Sequence, residues 1–213
     1  MENALLGSEF DARPPDSSSS GDHVGSRSLP TWTAIDGRDR ELAFAAIEYA
    51  SWEEIDGVVA MYDDFEEKHA AQGLPPRKGD DIREWLTALR CGLHVVARHD
   101  GRTVGHATLV SGEESDVGSG SGDEREAGHE LAIFVHQDYR NAGVGTHLLR
   151  TLLSYAGTVG VERVWLMVER HNRAAIALYD DVGFETVEVS GGTVEMELDL
   201  DESAVSRLPA NPA

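Results

Sequence analysis

Val135-His136-Gln137-Asp138-Tyr139-Arg140-Asn141-Ala142-Gly143-Val144-Gly145 is the stretch on which the reading of this chain turns. Apolar residues run up to Val135, a polar turn follows, and apolar residues at helical spacing begin at Val144. A strand that feeds a helix through a glycine-containing turn leaves the first helical N–H groups without intrahelical partners. Those amides and the helix dipole favour an anion, and glycine lets it approach without a Cβ in the way. The turn therefore reads as a phosphate or pyrophosphate site; a plain strand–turn–helix with a packing glycine would look similar. A P-loop is excluded because no Gly-Lys-Ser/Thr is present, and a dinucleotide fingerprint fails because Leu148 stands where a third glycine is required.

Strands and helices alternate on both sides of the turn. Residues 130–135 read as a strand and residues 143–156 as a helix, with Val144, Leu148, Leu149, Leu152 and Leu153 on one face. Residues 164–168 form a continuous apolar run, the pattern of a strand covered on both faces. Residues 172–182 read as a second helix, closed by Gly183 at a C-cap position. Residues 184–189 and 193–198 make a hairpin through Gly191-Gly192. Residues 93–97 and 103–110 make another around Asp100-Gly101, a strong turn signal. This order implies a mixed α/β fold.

Toward the N-terminus, order begins near Thr31. Residues 43–46 either extend a first strand or open a turn of helix. Ser51 is a candidate N-cap for a helix carrying Ile55, Val58, Val59 and Tyr62, which Gly73-Leu74-Pro75-Pro76 would end; residues 81–89 read as a further helix. Residues 1–30 are expected to be a disordered leader, 31–200 the folded domain, 111–128 a mobile acidic loop and 201–213 a flexible tail. The acids of that loop lack the spacing of a calcium-binding loop, and no metal is expected.

Composition narrows the function. The net charge of −21 argues against nucleic acid, no apolar run spans a membrane, and no secretory signal is legible. A single cysteine, Cys91, fits a reducing cytoplasm and reads as a small buried hydrophobe. Lys68 and Lys78 are the only lysines. An acidic, lysine-poor surface resembles proteins of salt-loving microbes, and a halophilic archaeal source is the expectation.

Arg140-Asn141-Ala142-Gly143-Val144-Gly145 resembles the R/Q-x-x-G-x-G/A pyrophosphate motif of the GNAT acetyltransferase superfamily. The run from Asn172 through Ala175 and Tyr179 to Gly183-Phe184 is similar to the superfamily's N-x-x-A-x-x-x-Y-x-x-x-G-F. Gln137 stands where the family often has proline. The resemblance implies a central, mixed but mainly antiparallel, splayed sheet flanked by helices. It also implies transfer of an acetyl group from acetyl-CoA to a primary amine by direct attack in a ternary complex. The pyrophosphate would lie on backbone amides of Arg140, Asn141, Ala142, Gly143, Val144 and Gly145. The pantetheine arm would lie along the backbone of Ile133, Phe134 and Val135, with Asn172 beside it. Tyr179 occupies the family's acid position, its phenol pKa near the ordinary ~10 suiting the task. Glu130 is the candidate base and His129 its neighbour in the same role, while His94 and His106 read as structural or exposed. The acceptor is a small molecule or a protein, and a homodimer is left open. A non-catalytic acyl-CoA-binding regulatory module is the competing reading.

Overall fold

The computed structural model describes residues 29–47, 52–65, 79–89, 91–111 and 128–201. The Ser51 cap, the Gly73-Leu74-Pro75-Pro76 stop and nearly all of the leader, the acidic loop and the tail lie outside the described residues.

Among the described residues the sheet has eight strands: β1 (Thr31–Ile35), β2 (Glu41–Ile47), β3 (Leu93–His99), β4 (Arg102–Ser111), β5 (His129–Val135), β6 (Arg163–Glu169), β7 (Glu185–Ser190) and β8 (Thr193–Asp199). Their spatial order is β1-β2-β3-β4-β5-β6-β8-β7. Every neighbouring pair is antiparallel except β5 and β6, which run parallel. The helices are α1 (Trp52–Asp63), α2 (Gly79–Ala88), α3 (Val144–Thr158) and α4 (Arg173–Val182). α3 carries the chain from β5 to β6, as a parallel pair requires. Residues 43–46, ambiguous in the sequence, belong to a strand of their own, β2, paired with both β1 and β3.

Two cores cover the sheet. On one face Leu148, Leu149, Leu152 and Leu153 of α3 are fully buried, in a cluster with Leu42, Phe44, Val95 and Leu109. The apolar stripe seen in the sequence is thus the contact surface of α3. Burying each of these leucines contributes about 1.5–3 kcal/mol. Trp32 closes the β1 edge by stacking on Phe44 at 4.8 Å and donating from Nε1 to Thr151 Oγ1 at 2.7 Å. On the other face Val58, Val59, Met61 and Tyr62 of α1 and Ile82 and Leu86 of α2 join Ile47 and Val96, with Phe134 packed against them.

Two expectations need correction. The run 164–168 is not covered on both faces: burial alternates along β6 and Met167 is 58% exposed. Its outward side faces the space left where β5 diverges from β6, so apolarity along the run reflects a cleft wall as well as core. Cys91 is exposed rather than buried. It lies just before β3, outside both apolar clusters. No helix among the described residues is long and apolar enough to cross a membrane.

Candidate functional site

The parallel pair β5/β6 is joined only at its start. His129 is matched with Val164 and Glu130 with Trp165, and no pairing continues beyond. β5 meanwhile stays paired with β4 along its whole length. The two strands therefore splay and leave a cleft of about 210 Å³. Strand, helix and turn all contribute to it: Glu130 through Val135, Gly145, Met167, Asn172 and Tyr179 are among its walls.

Which backbone groups face the cleft follows from strand alternation. His136 N–H donates to Val104 C=O at 2.9 Å, so position 136 points toward β4. Residues two apart point the same way, hence Phe134 and Ala132 also face β4, whereas Val135, Ile133 and Leu131 present their N–H and C=O toward β6. The Leu131 N–H belongs to the last β5–β6 pair, Glu130 with Trp165, whereas the Leu131 C=O and both groups of Ile133 lie beyond it. This corrects one expectation: the backbone of Phe134 is committed to β4, and only its side chain reaches the cleft. At Val135 the carbonyl is also taken, because Arg140 Nε donates to it at 2.9 Å.

Past Val135 the chain makes a 3-10 turn, Gln137–Tyr139, capped by His136, whose Nδ1 accepts the Asp138 N–H at 3.4 Å. Gln137, the departure from proline, uses its side chain to donate from Nε2 to Asp64 C=O at 2.7 Å, tying the turn to the end of α1. Asn141 and Gly143 then adopt left-handed φ values of 55° and 83°. Gly143 is the N-cap of α3 and makes no side-chain capping bond, so the helix start keeps free donors. A Cβ built on Gly143 meets nothing within 4 Å, whereas one on Gly145 would sit 3.4 Å from Leu178 and 3.7 Å from Val135. The turn is open on this side, and amides at a helix start favour an anion.

Tyr179 and Glu130 flank the same cleft. Tyr179 is buried on α4 against Phe184 (centroids 5.7 Å apart), and burial pushes its phenol up to about 12. Glu130 faces the α1 side of the sheet, directly across from Val110, and burial raises its carboxyl above the ordinary carboxylate value. Asn172 caps α4, accepting the Ala175 N–H on Oδ1 at 3.2 Å, and also lines the cleft. His129 is not brought to Glu130's cleft. It lines a separate cavity of about 180 Å³ with Cys91, Leu93 and Val161, and burial lowers its pKa.

His94 and His106, left open in the sequence, are fully buried and linked. His94 Nε2 lies 2.9 Å from the Leu89 carbonyl, which can only accept, so His94 donates there and keeps a bare Nδ1. His106 Nε2 then donates to that Nδ1 at 3.2 Å, which leaves His106 Nδ1 to accept from the Tyr62 hydroxyl at 2.7 Å. The chain of bonds joins the Leu89 carbonyl to Tyr62 and orients that residue, whose ring packs edge-on against Phe134 at 5.3 Å.

Burial holds both rings neutral, His94 at about 4 and His106 well below its ordinary value. A folded pKa below the unfolded one means that protonation favours unfolding. The stability tied to these histidines is complete above about pH 6.5 and is lost as pH falls toward 4, at about 1.4 kcal/mol per pH unit for each ring. Glu130 has the opposite sign in part of that window, so the comparison is between variants. Urea unfolding of His94→Asn, whose amide oxygen takes the place of Nδ1 and can still accept from His106, should show a shallower loss of stability between pH 6.5 and 4 than the unaltered chain. Parallel curves would contradict this assignment.

Sequence reasoning missed the contribution of the β1–β2 turn. Arg38 and Arg40 reach the carbonyl of Asp138 and Arg38 also that of Arg140, while Gly37 N–H donates to Ala142 C=O. In the sequence these residues look like an ordinary charged turn.

Comparison with known proteins agrees with the geometry. The profile of the Acetyltransferase (GNAT) family matches residues 58–184. An uncharacterized N-acetyltransferase of Mycobacterium tuberculosis is 34% identical over 103 residues, which are 48% of this chain and 58% of that protein. This chain therefore spans little more than half the length of that relative. A [ribosomal protein bS18]-alanine N-acetyltransferase of Escherichia coli is 44% identical over 52 residues, covering 24% of this chain and 35% of that one. Among solved structures, the GNAT domain of S. lividans PAT superposes with a TM-score of 0.62 at 16% identity, covering 79% of this chain and 96% of its own. A Salmonella typhimurium protein solved with its cofactor acetyl-CoA gives a TM-score of 0.57 at 20% identity, over 80% of this chain and 98% of that one. At these identities the structural likeness speaks to the fold.

Proposed function

Because the chain belongs to the Acetyltransferase (GNAT) family, we propose that it transfers an acetyl group from acetyl-CoA to a primary amine, and that the β5/β6 cleft is where it does so. The observation that carries this reading is the splay itself: β5 stops pairing with β6 after Glu130 and leaves the Leu131 C=O and the N–H and C=O of Ile133 facing a cleft that leads to the amide cradle. Unpaired backbone polar groups in a half-buried cleft are costly unless a ligand or water satisfies them. A pantetheine arm, with two amides of its own, suits them.

In this reading the amides of residues 141–145 hold the pyrophosphate, the expected share of Arg140 being corrected because its N–H already donates to Gln137 C=O at 3.4 Å; the backbone of Ile133 and the Val135 N–H hold the arm, and Asn172 adds a side-chain contact while capping α4. Acetyl-CoA supplies an activated thioester carbonyl. Glu130, on the α1 side, takes the proton from the attacking amine, whose ordinary pKa near ~10 leaves it mostly charged at neutral pH. A raised carboxyl pKa makes Glu130 the better base of the two candidates, and His129 is displaced by its position in another cavity. Tyr179, on the opposite wall, donates a hydrogen bond where negative charge develops on sulfur. A phenol near 12 would give up its proton to a weaker base only uphill, so its contribution is the donated bond rather than full transfer. The presence of both an acid and a base candidate on one cleft favours catalysis over a purely binding, regulatory role.

The acceptor class is a primary amine, on a small molecule or a protein. The E. coli relative's name points to a protein N-terminal alanine, but the shared segment is short. A salt-rich cytoplasm is the setting that the −21 charge and the two lysines support. The test is a library of amines and N-terminal peptides incubated with acetyl-CoA in molar KCl, with free CoA followed. Acetylated product from at least one amine is expected. Acetyl-CoA binding without turnover on any amine would favour the regulatory reading.

A further inference from the structure

The turn between β1 and β2 grips the phosphate cradle from behind. Arg38 donates from Nη1 to Asp138 C=O at 2.8 Å and from Nη2 to Arg140 C=O at 3.3 Å. Arg40 donates from Nη1 to Asp138 C=O at 3.2 Å, and Gly37 N–H donates to Ala142 C=O at 2.9 Å. Three alternate carbonyls of the 138–142 segment are thus drawn to one side. In a trans peptide the C=O of one residue and the N–H of the next point in opposite directions. Fixing the carbonyls of Arg140 and Ala142 therefore aims the N–H groups of Asn141 and Gly143 away from the β1–β2 turn, toward the open space where a Cβ on Gly143 would meet nothing. Asn141 and Gly143 both take left-handed φ values, 55° and 83°.

The grip is itself braced. Asp36 is 5% exposed and pairs with Arg40, Oδ2 lying 2.6 Å from Nη2 and accepting from Nε at 2.8 Å. Its Oδ1 accepts the N–H groups of Arg38 at 2.9 Å and Arg40 at 3.0 Å. Burial works to raise the Asp36 pKa, but the bonds from Arg40 and Arg38 and the charge of Arg40 outweigh it, leaving the carboxyl ionised down to about pH 2. The Arg40 guanidinium also lies 4.0 Å over the Tyr139 ring, whose hydroxyl meets His99 Nδ1 at 2.9 Å. A buried carboxylate, two guanidiniums and an aromatic ring are more than a surface turn needs to keep its shape.

We propose that Arg38 and Arg40, held by Asp36, are positioning residues for the acetyl donor: they preset the Asn141 and Gly143 amides for the pyrophosphate. This rests on the cofactor reading of the cleft. The guanidiniums act through carbonyls on the far side of the loop, so their effect belongs to the phosphate-bearing end of the donor and not to the thioester end.

The experiment titrates acetyl-CoA and S-acetylpantetheine, which keeps the thioester and the arm but has no phosphate, into the unaltered chain, Arg38→Met and Arg40→Met. Arg40→Met is expected to weaken acetyl-CoA binding by about ten- to a hundredfold, and Arg38→Met by about three- to tenfold, since charge-assisted bonds to the loop are lost. S-acetylpantetheine should bind all three proteins equally. Arg38 is on the surface, so Arg38→Met keeps the test open if Arg40→Met fails to fold. Unchanged acetyl-CoA affinity in a folded variant, or an equal loss for both ligands, would overturn the proposal; the latter would mark a merely structural turn. Failure of the unaltered chain to bind acetyl-CoA would instead bring down the cofactor reading and this proposal with it.

Discussion

Tyr179→Phe is expected to lower kcat by about ten- to a thousandfold, the upper figure being the usual cost of about 10²–10³ for removing one donor to developing negative charge. The substitution keeps the ring, and with it the contact to Phe184 and the closure of the α4 face. Only the hydroxyl is lost. No described residue donates to or accepts from that hydroxyl, so no internal hydrogen bond is broken and stability should change little. Burial holds the phenol protonated at every pH below about 12, so the pH dependence of the remaining activity should match that of the unaltered chain. Acetyl-CoA affinity should stay within about twofold, because the lost bond strengthens only as charge develops. The measurement is steady-state turnover with an identified amine at saturating concentration. Undiminished kcat would mean that Tyr179 only packs.

Glu130→Gln should lower kcat/KM by about 10²–10⁴-fold at neutral pH while making the protein more stable. The two effects have one cause. Burial raises the Glu130 carboxyl, so the folded state holds its proton more tightly than the unfolded chain does. The favourable contribution is present below the unfolded pKa and is lost as pH rises through the folded one, so at neutral pH the carboxylate costs stability. A neutral amide removes that cost and removes the base. Thermal melts and kinetics on one preparation check both. A variant that loses activity and also melts lower at pH 7 would point to a structural role for Glu130, and one that retains activity would return the base to another group or to water.

The most informative part of the chain was legible because its chemistry is local. The strand into Val135, the glycine turn, the α3 stripe and the Asn172-to-Gly183 helix are all set by spacings of a few residues, and each is present. What depends on distant pairing was not legible. The splay of β5 from β6 depends on residues 35 positions apart, and the register that turns the Phe134 backbone to β4 is fixed by Val104 and His106. Residues 164–168 looked doubly covered because an apolar cleft wall and a core strand have the same composition. Met167 shows which side is open. His94 and His106 declared themselves only once β3 and β4 paired and α1 laid Tyr62 across them. The grip of Arg38 and Arg40 on Asp138 and Arg140 spans about a hundred residues of sequence, and no local pattern records it.

We propose above all that the glycine turn after β5 holds the pyrophosphate of acetyl-CoA. Gly143 tests it most directly. Its φ of 83° excludes side chains at a cost of about 1–2 kcal/mol, yet a side chain there would enter open space rather than the core. Gly143→Val should therefore remain folded and lose acetyl-CoA binding, because the branched side chain fills the cradle. Calorimetric titration of acetyl-CoA into both proteins, with thermal melts to confirm folding, is the measurement. Saturable binding to the unaltered chain and a loss of about a hundredfold or more in the variant are expected. Equal affinity in a folded Gly143→Val would contradict it.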